Sequence, residues 1–186
     1  MAVLRKVLAG WLCGTLALIS FCGVCGAGAA TEYEVKAVFV FNFSRFVEWS
    51  PQAFSAPNAP FVIGVLGNDP FGAHLDEAMR GEQLDQHPLV VRRFRTVGEI
   101  GDCQILFIDR SENERLGQII AALDHRSTLT VSELDRSSER GVMIQFTTEN
   151  NRIRLRINVE AARAAGLTIS SKLLRSAEIV SIRGGG

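Results

Sequence analysis

The sequence lacks an excess of charge of either sign. Twenty basic residues balance 20 acidic ones in a chain of 186 residues, so the formal net charge is zero at pH 7. A general nucleic-acid-binding protein is therefore not expected, because such proteins show a basic balance or a long basic run. The chain is 47% hydrophobic and 22% charged, which excludes a disordered or collagen-like polymer and favours a globular domain.

The sequence also has few cysteines, and three of its four lie within the first 25 residues. That region has the features of a cleaved secretory signal, which we assign to residues 1–30. Arg5 and Lys6 form a positive start, residues 7–21 are uncharged and mostly apolar, and residues 26–30 are small. An uncleaved membrane anchor is the alternative. A lipoprotein is less favoured, because Cys22 and Cys25 each follow a large side chain.

Removal of this signal would leave a single domain of residues 31–186 with 18 basic and 20 acidic residues. Cys103 would then be the remaining cysteine, so an exported protein without an internal disulfide is expected. Stability has to come from a hydrophobic core, and a chain of about 150 residues can bury about 68–70% of its unfolded surface.

Motifs for catalysis or cofactor binding are missing. The sequence contains no G-x-G-x-x-G, P-loop or G-x-S-x-G pattern. His74, His87 and His125 are scattered, and Cys103 begins an apolar run in which a thiol is usually inert. We therefore expect no catalytic residue, no metal site and no cofactor.

The pattern of apolar residues predicts alternating helices and strands. A capping box at Thr31–Glu34 predicts a helix that runs to about Trp49, before Pro51. Its apolar stripe is wider than one face, so part of it is either deep core or a contact surface. Buried strands are predicted at Phe61–Leu66, His87–Phe94, Cys103–Ile108 and Ser127–Val131.

Capping residues predict the helices between these strands. Asp69 is placed as the N-cap of one helix, with Pro70 at its first position and Gly81 after its end. A second capping box at Ser111–Glu114 predicts another helix. The expected class is α/β, with a mostly parallel sheet flanked by helices on both faces and a C-terminal antiparallel hairpin.

The hairpin is predicted after Gly141, where apolar and polar residues alternate strictly on both sides of a turn at residues 149–151. Asn158 and either Ser170 or Ser171 are expected to cap two short helices after it. Arg152, Arg154 and Arg156 share one face of the second strand. This arginine row is a candidate partner-binding surface, but it is equally a charged strand face of the kind that discourages aggregation.

Two aspartates are candidates for a ligand cleft. Asp69 and Asp109 both follow predicted strands of one parallel sheet, and such sheets bind ligands at their carboxyl edge. The structural alternative, which we favour, is that Asp69 simply caps a helix and that Asp109 does similar work near Ser111.

Several blocks resemble the YfiR family of exported bacterial proteins. The opening segment of residues 32–49 is the first, followed by 65–71, the strand at 103–108, 141–144, and 157–174. These blocks occur in order over essentially the whole of residues 31–186, which makes the resemblance far more specific than any single motif.

The resemblance implies a regulatory role without catalysis. Proteins similar to YfiR are periplasmic repressors that bind the periplasmic part of an inner-membrane diguanylate cyclase, which lowers cyclic di-GMP synthesis and biofilm formation. An OmpA-like outer-membrane lipoprotein sequesters such a repressor and releases the cyclase. The alternative function is a periplasmic small-molecule sensor with a ligand near Asp69 and Asp109, and a hydrolase that uses those two acids is a weaker alternative.

The sequence departs from the family at one position. The resemblance implies paired cysteines, with a partner for Cys103 near Gly64, where glycine supplies no thiol. An internal redox switch is therefore not expected. Pairing of Cys103 between two chains would require the exposure of this cysteine. The sequence does not decide whether the protein forms a homodimer.

Overall fold

The computed structural model describes residues 31–180, so the segment expected to be a signal lies outside the described residues. The helices and strands, in chain order, are α1 (Glu32–Phe46), β1 (Val47–Glu48), β2 (Phe61–Leu66), α2 (Ala73–Met79), β3 (Gln83–Leu84), β4 (His87–Phe94), β5 (Ile105–Ile108), α3 (Leu116–Ala122), β6 (Leu129–Ser132), β7 (Ile144–Glu149), β8 (Arg152–Asn158), α4 (Val159–Ala164), β9 (Thr168–Ile169), α5 (Ser171–Leu174) and β10 (Glu178–Val180).

Eight of these strands form one sheet in the order β10-β8-β7-β6-β5-β2-β4-β3. Neighbouring strands are parallel except for two pairs, β7 with β8 and β3 with β4. The strands β1 and β9 form a separate antiparallel pair. The predicted α/β class and its antiparallel hairpin are therefore confirmed.

Both faces of the sheet are buried against helices. On one face, Ile63 and Val65 of β2 belong to a core that includes Val40 and Phe43 of α1 and residues of α2, α4 and α5. On the other face, neighbouring side chains of the same strand pack with Leu116 and Ile119 of α3. Because side chains alternate along a strand, an uninterrupted apolar sequence supplies both cores.

The first helix begins where the sequence predicts and ends earlier. Thr31 and Glu34 form the expected capping box. The helix ends at Phe46 rather than near Trp49, because Val47 and Glu48 are extended and pair with β9. The prediction of the end was wrong because it rested on the next proline and could not include a partner strand more than 100 residues away.

The predicted start of the second helix was also wrong. The helix α2 begins at Ala73 after Gly72, whose φ of +54° suits a residue without a side chain. Asp69 instead accepts a hydrogen bond from the N–H of Phe71 at 2.8 Å, which forms a turn ahead of the helix.

Ser111–Glu114 does not open an α-helix as a capping box. Residues 110–115 form a 3₁₀ helix whose N-cap is Asp109, and α3 follows it from Leu116. The two later caps are confirmed: the amide oxygen of Asn158 accepts from the N–H of Ala161, and Ser170, rather than Ser171, caps α5.

Candidate functional site

The hairpin extends beyond the sheet as a two-stranded ribbon. The strand β6 pairs only with Ile144 and Gln145 of β7, and β10 pairs only with residues 156–158 of β8. Residues 146–155, which we call the ribbon, therefore have only each other as strand partners within the described part of the chain. Asn150 and Asn151 close it with φ values of +50° and +57°, as a two-residue type I′ turn requires.

One face of the ribbon is covered by α1. The ring of Phe146 lies 5.9 Å from that of Phe43 and 6.0 Å from that of Phe39, measured between centroids. The hydroxyl of Thr148 donates to a carboxylate oxygen of Glu32 at 3.0 Å. Phe146 is therefore part of the core, whereas the bond between Thr148 and Glu32 lies at the surface, and the two contacts together hold the ribbon beside the start of α1.

The arginine row projects from the opposite face, as side-chain alternation requires. Its members differ in their contacts. Arg156 is half-buried and pairs with Glu178 at 3.1 Å and with Glu139 at 3.7 Å. Arg152 and Arg154 are exposed, and neither has an ion pair within the part of the chain that the structure describes. Arg156 is thus held within the protein, whereas Arg152 and Arg154 are available for an external contact.

The two candidate aspartates follow neighbouring strands, β2 and β5, and the loops that carry them touch. The N–H of Asn68 donates to the hydroxyl of Ser111 at 3.1 Å. Each carboxylate has local partners, however. Asp69 accepts from Arg93 at 2.9 Å as well as from its own turn, and the buried Asp109 accepts from the N–H of Ser111 at 2.8 Å. Asp109 has the capping role expected of it, whereas Asp69 closes a turn ahead of α2 and does not cap that helix. A ligand at this edge stays a prediction.

Two cavities in the described region lie elsewhere. The larger, of about 400 Å³, is lined by side chains that include Trp49, Phe54 and His87. A second, of about 240 Å³, is lined by residues that include Arg110 and Glu133. Neither aspartate lines either cavity, so these two spaces do not supply the cleft that the sequence suggested.

An ion cluster centred on a buried pair, Lys36 and Glu133, lies beside the ribbon and was missed by the sequence analysis. Lys36 of α1 is 1% exposed and forms an ion pair with Glu133, which follows β6. Glu133 also accepts hydrogen bonds from the hydroxyl of Tyr33 and from Arg110, both at 2.9 Å. Tyr33, Lys36, Arg110 and Glu133 make up this cluster, and it joins α1 to the carboxyl edge of the sheet.

The cluster changes the titration of its neighbours. Burial, together with donation to Glu133, raises the pKa of Tyr33 to about 12. The hydrogen bond from Lys36 lowers the pKa of Glu32, which lies 2.6 Å from the ammonium. One sequence signal was available, because Lys36 shares a helix face with Val40 and Phe43 at intervals of four and seven residues, and a lysine on such a face needs an acidic partner.

Cys103 is buried beside Gly64. A Cβ atom placed on Gly64 would lie 2.9 Å from the sulfur of Cys103. Burial raises the pKa of the thiol to about 12, so the cysteine is protonated and unreactive at neutral pH. The structure therefore does not provide the exposure that pairing between two chains would need.

Residues 31–180 were also searched for a metal site and for a membrane-spanning helix. No group of three or more histidine, cysteine, aspartate or glutamate side chains lies close enough together there to hold a metal ion. None of the helices in this range combines the length and apolar character needed to cross a bilayer.

The comparison with protein families decides the identity. The model of the YfiR/HmsC-like family matches residues 33–178, which is most of the chain. The chain belongs to the YfiR/HmsC-like family. This family consists of regulatory, non-catalytic periplasmic proteins.

Among solved structures, the chain is similar to the crystal structure of a conserved domain protein from Vibrio cholerae O1 biovar El Tor strain N16961. The two share 14% sequence identity with a TM-score of 0.53, over 81% of this chain and 60% of the other. The chain thus spans less than two thirds of that protein, and the similarity supports the fold alone. No curated protein matches the chain.

Proposed function

We propose that this YfiR/HmsC-like protein is exported with a cleaved signal at residues 1–30 and acts as a single domain of residues 31–186. In the periplasm it represses an inner-membrane diguanylate cyclase by binding the periplasmic region of that enzyme. The match of the family model to residues 33–178 is the observation that carries this proposal. Repression needs no catalytic residue, because a protein that binds the inactive conformation more tightly shifts the population towards it.

The proposed contact surface is the arginine row on the ribbon. Arg152 and Arg154 supply exposed positive charge on a surface that no helix within residues 31–180 covers, and Arg156 orders the end of the row through its pairs with Glu139 and Glu178. Unpaired surface charges of this kind contribute to partner choice and association rate.

The test measures binding of the two proteins in solution and the level of cyclic di-GMP in cells. The mature protein is mixed with the purified periplasmic region of the candidate cyclase, and cyclic di-GMP is measured in cells that carry both proteins. Arg152→Glu with Arg154→Glu is expected to weaken binding and to raise cyclic di-GMP and biofilm. Arg163→Glu on α4 is the matched control, because Arg163 is also an exposed arginine but lies outside the row. No association of the wild-type protein, in oxidising or reducing buffer, would contradict the proposal.

Release by an OmpA-like outer-membrane lipoprotein is a further part of the proposal. It predicts that adding the soluble part of the lipoprotein displaces the cyclase from this protein.

A homodimer of this protein is a separate prediction, and sedimentation of the free protein tests it.

A small-molecule sensor is the second candidate, supported by the contact between the loops after β2 and β5 at the carboxyl edge of the sheet. It predicts a ligand whose stabilisation of the protein is lost in Asp69→Asn, while charge reversal of the arginine row leaves ligand binding unchanged.

A further inference from the structure

The outer edge of β8 is unpaired along part of its length. The N–H of Asn158 donates to the carbonyl of Met143 at 2.8 Å across the hairpin. In an antiparallel pair, alternate residues direct both backbone groups at the partner strand. Arg152, Arg154 and Arg156 therefore bond towards β7, while Ile153 and Leu155 direct their backbone groups outwards.

The strand β10 covers only the last part of this edge. Its pairing begins where Glu178 lies opposite Arg156 and continues to Asn158. Within residues 31–180, no strand pairs with Ile153 or Arg154 on the outer side. Leu155 is 3% exposed and offers only its N–H there, because the register of Glu178 with Arg156 directs the Glu178 N–H at the Leu155 carbonyl. We call Ile153–Leu155 the open edge. Unpaired strand edges of this kind accept an added strand from another chain.

The charge beside the open edge selects the kind of strand that fits. Arg154 lies in register with Thr147 across the hairpin, and Arg152 with Glu149, which is the single acidic residue of the ribbon. The face next to the edge is therefore basic, and acidic side chains at alternate positions of an added strand would project over it.

A second copy of this chain fits the edge poorly. Antiparallel pairing of β8 with β8 of another molecule would bring two arginine rows together on one face, and like charges on facing strands are destabilising. The complementary occupant is an extended acidic segment of a different protein.

We infer that the open edge binds an extended acidic segment of a partner protein, which adds as a strand beside β8. The inference rests on the proposed function in taking the periplasmic region of the cyclase as the source of that segment. The added strand has to end level with Arg156, where β10 begins.

The first experiment measures the edge itself with a peptide probe. The probe is Thr-Glu-Thr-Glu-Thr-Glu-Thr, and the control is the same peptide with lysine for glutamate. Amide hydrogen exchange of Ile153 and Leu155, measured by NMR, is expected to slow with the acidic peptide and not with the basic one. Unchanged exchange at these two amides, or equal protection by both peptides, would overturn the inference.

Two variants separate backbone pairing from charge. Ile153→Pro removes an outward-directed N–H, and proline is tolerated at strand edges. Arg154→Glu reverses the charge. Each is expected to weaken binding of the acidic peptide at least about tenfold, whereas Ile153→Val keeps the donor and binds normally. Thermal unfolding identifies any variant that fails to fold, and Arg154→Glu keeps the test independent of Ile153→Pro.

The same variants distinguish this inference from the proposed function. If the cyclase region binds both variants as tightly as the wild type, the docking mode is wrong and the repressor function stands. If the cyclase region does not bind but the acidic peptide protects Ile153 and Leu155, the repressor function fails and the open edge stands. Binding to phosphatidylglycerol vesicles that is unaffected by Ile153→Pro, without peptide protection, would assign the arginine row to a membrane surface and overturn the inference.

Discussion

Lys36 is a charged residue in the interior of the protein, and its partners determine whether it can remain there. Burial of an ammonium is unfavourable unless an opposite charge and hydrogen bonds replace water. Glu133 supplies the charge on one side, and Glu32 supplies a second carboxylate at the surface. Because Tyr33 and Arg110 also bond to Glu133, the cluster couples residues about 100 positions apart in sequence.

Lys36→Met is expected to destabilise the fold strongly, because it leaves the Glu133 carboxylate buried without its ammonium. The expected loss in free energy of unfolding is about 3–5 kcal/mol, measured by urea denaturation. Arg163→Met removes an exposed positive charge and should change this value by less than about 0.5 kcal/mol. Equal effects of the two substitutions would show that the buried pair contributes nothing specific.

Tyr33 allows a direct measurement of the cluster, since it is the one tyrosine of the sequence. Its pKa of about 12 in the folded protein exceeds the value of about 10 for an unfolded chain. The folded state therefore holds this proton more tightly, and the resulting stabilisation is present below pH 10 and lost as the pH rises towards 12.

Phenolate absorbance should accordingly titrate with a midpoint near 12 in the native protein and near 10 in concentrated urea. Tyr33→Phe should remove both the absorbance change and the stability loss that this residue causes over that pH interval. A native midpoint near 10 would contradict the hydrogen bond from the Tyr33 hydroxyl to Glu133.

At the scale of elements, the position of the hairpin depends on its turn and on its contact with α1. Residues 146–155 lack other strand partners within the described chain, so the register of the ribbon is set by the turn and by the apolar face against α1. Asn150 and Asn151 both adopt the left-handed conformation, which asparagine tolerates better than most residues with a side chain.

Asn151→Ala should destabilise the protein by about 1 kcal/mol, because alanine lacks the polar side chain that makes φ of +57° acceptable. Asn151→Gly should be neutral or stabilising, since Asn-Gly is the preferred pair for this turn. Chemical denaturation measures both changes. If alanine were tolerated as well as glycine, the turn would not have the left-handed geometry described here.

On the scale of the whole molecule, the sheet separates two cores that meet at its central strands. Gly64 of β2 faces the core that contains α3, at a point where this core leaves no room for a side chain. A Cβ atom there would lie 2.7 Å from the ring of Phe94 and 2.9 Å from the sulfur of Cys103. The short distance that leaves no room for alanine would place the thiol of a cysteine at position 64 within bonding reach of Cys103.

Gly64→Ala should therefore destabilise the fold by about 1–3 kcal/mol through overpacking. Gly64→Cys should form a disulfide with Cys103 under oxidising conditions and recover stability, because the bond closes a loop of about 40 residues and such bonds contribute about 2–4 kcal/mol. Thiol quantification and denaturation with and without reductant measure the two effects. A free thiol pair in the oxidised variant would show that Gly64 and Cys103 are not adjacent.

The sequence alone determined the features that depend on near neighbours and on the alternation of apolar residues. The capping box at Thr31, the strands β2 and β4, the hairpin and the family resemblance all follow from such patterns. Tertiary structure decided the features in which distant residues compete with local preferences. Pairing with β9 ended α1 at Phe46, and Arg93 helped to fix Asp69 in a turn. The burial of Lys36 against Glu133 and the limited reach of β10 along β8 were settled in the same way, because both depend on which segments meet in space.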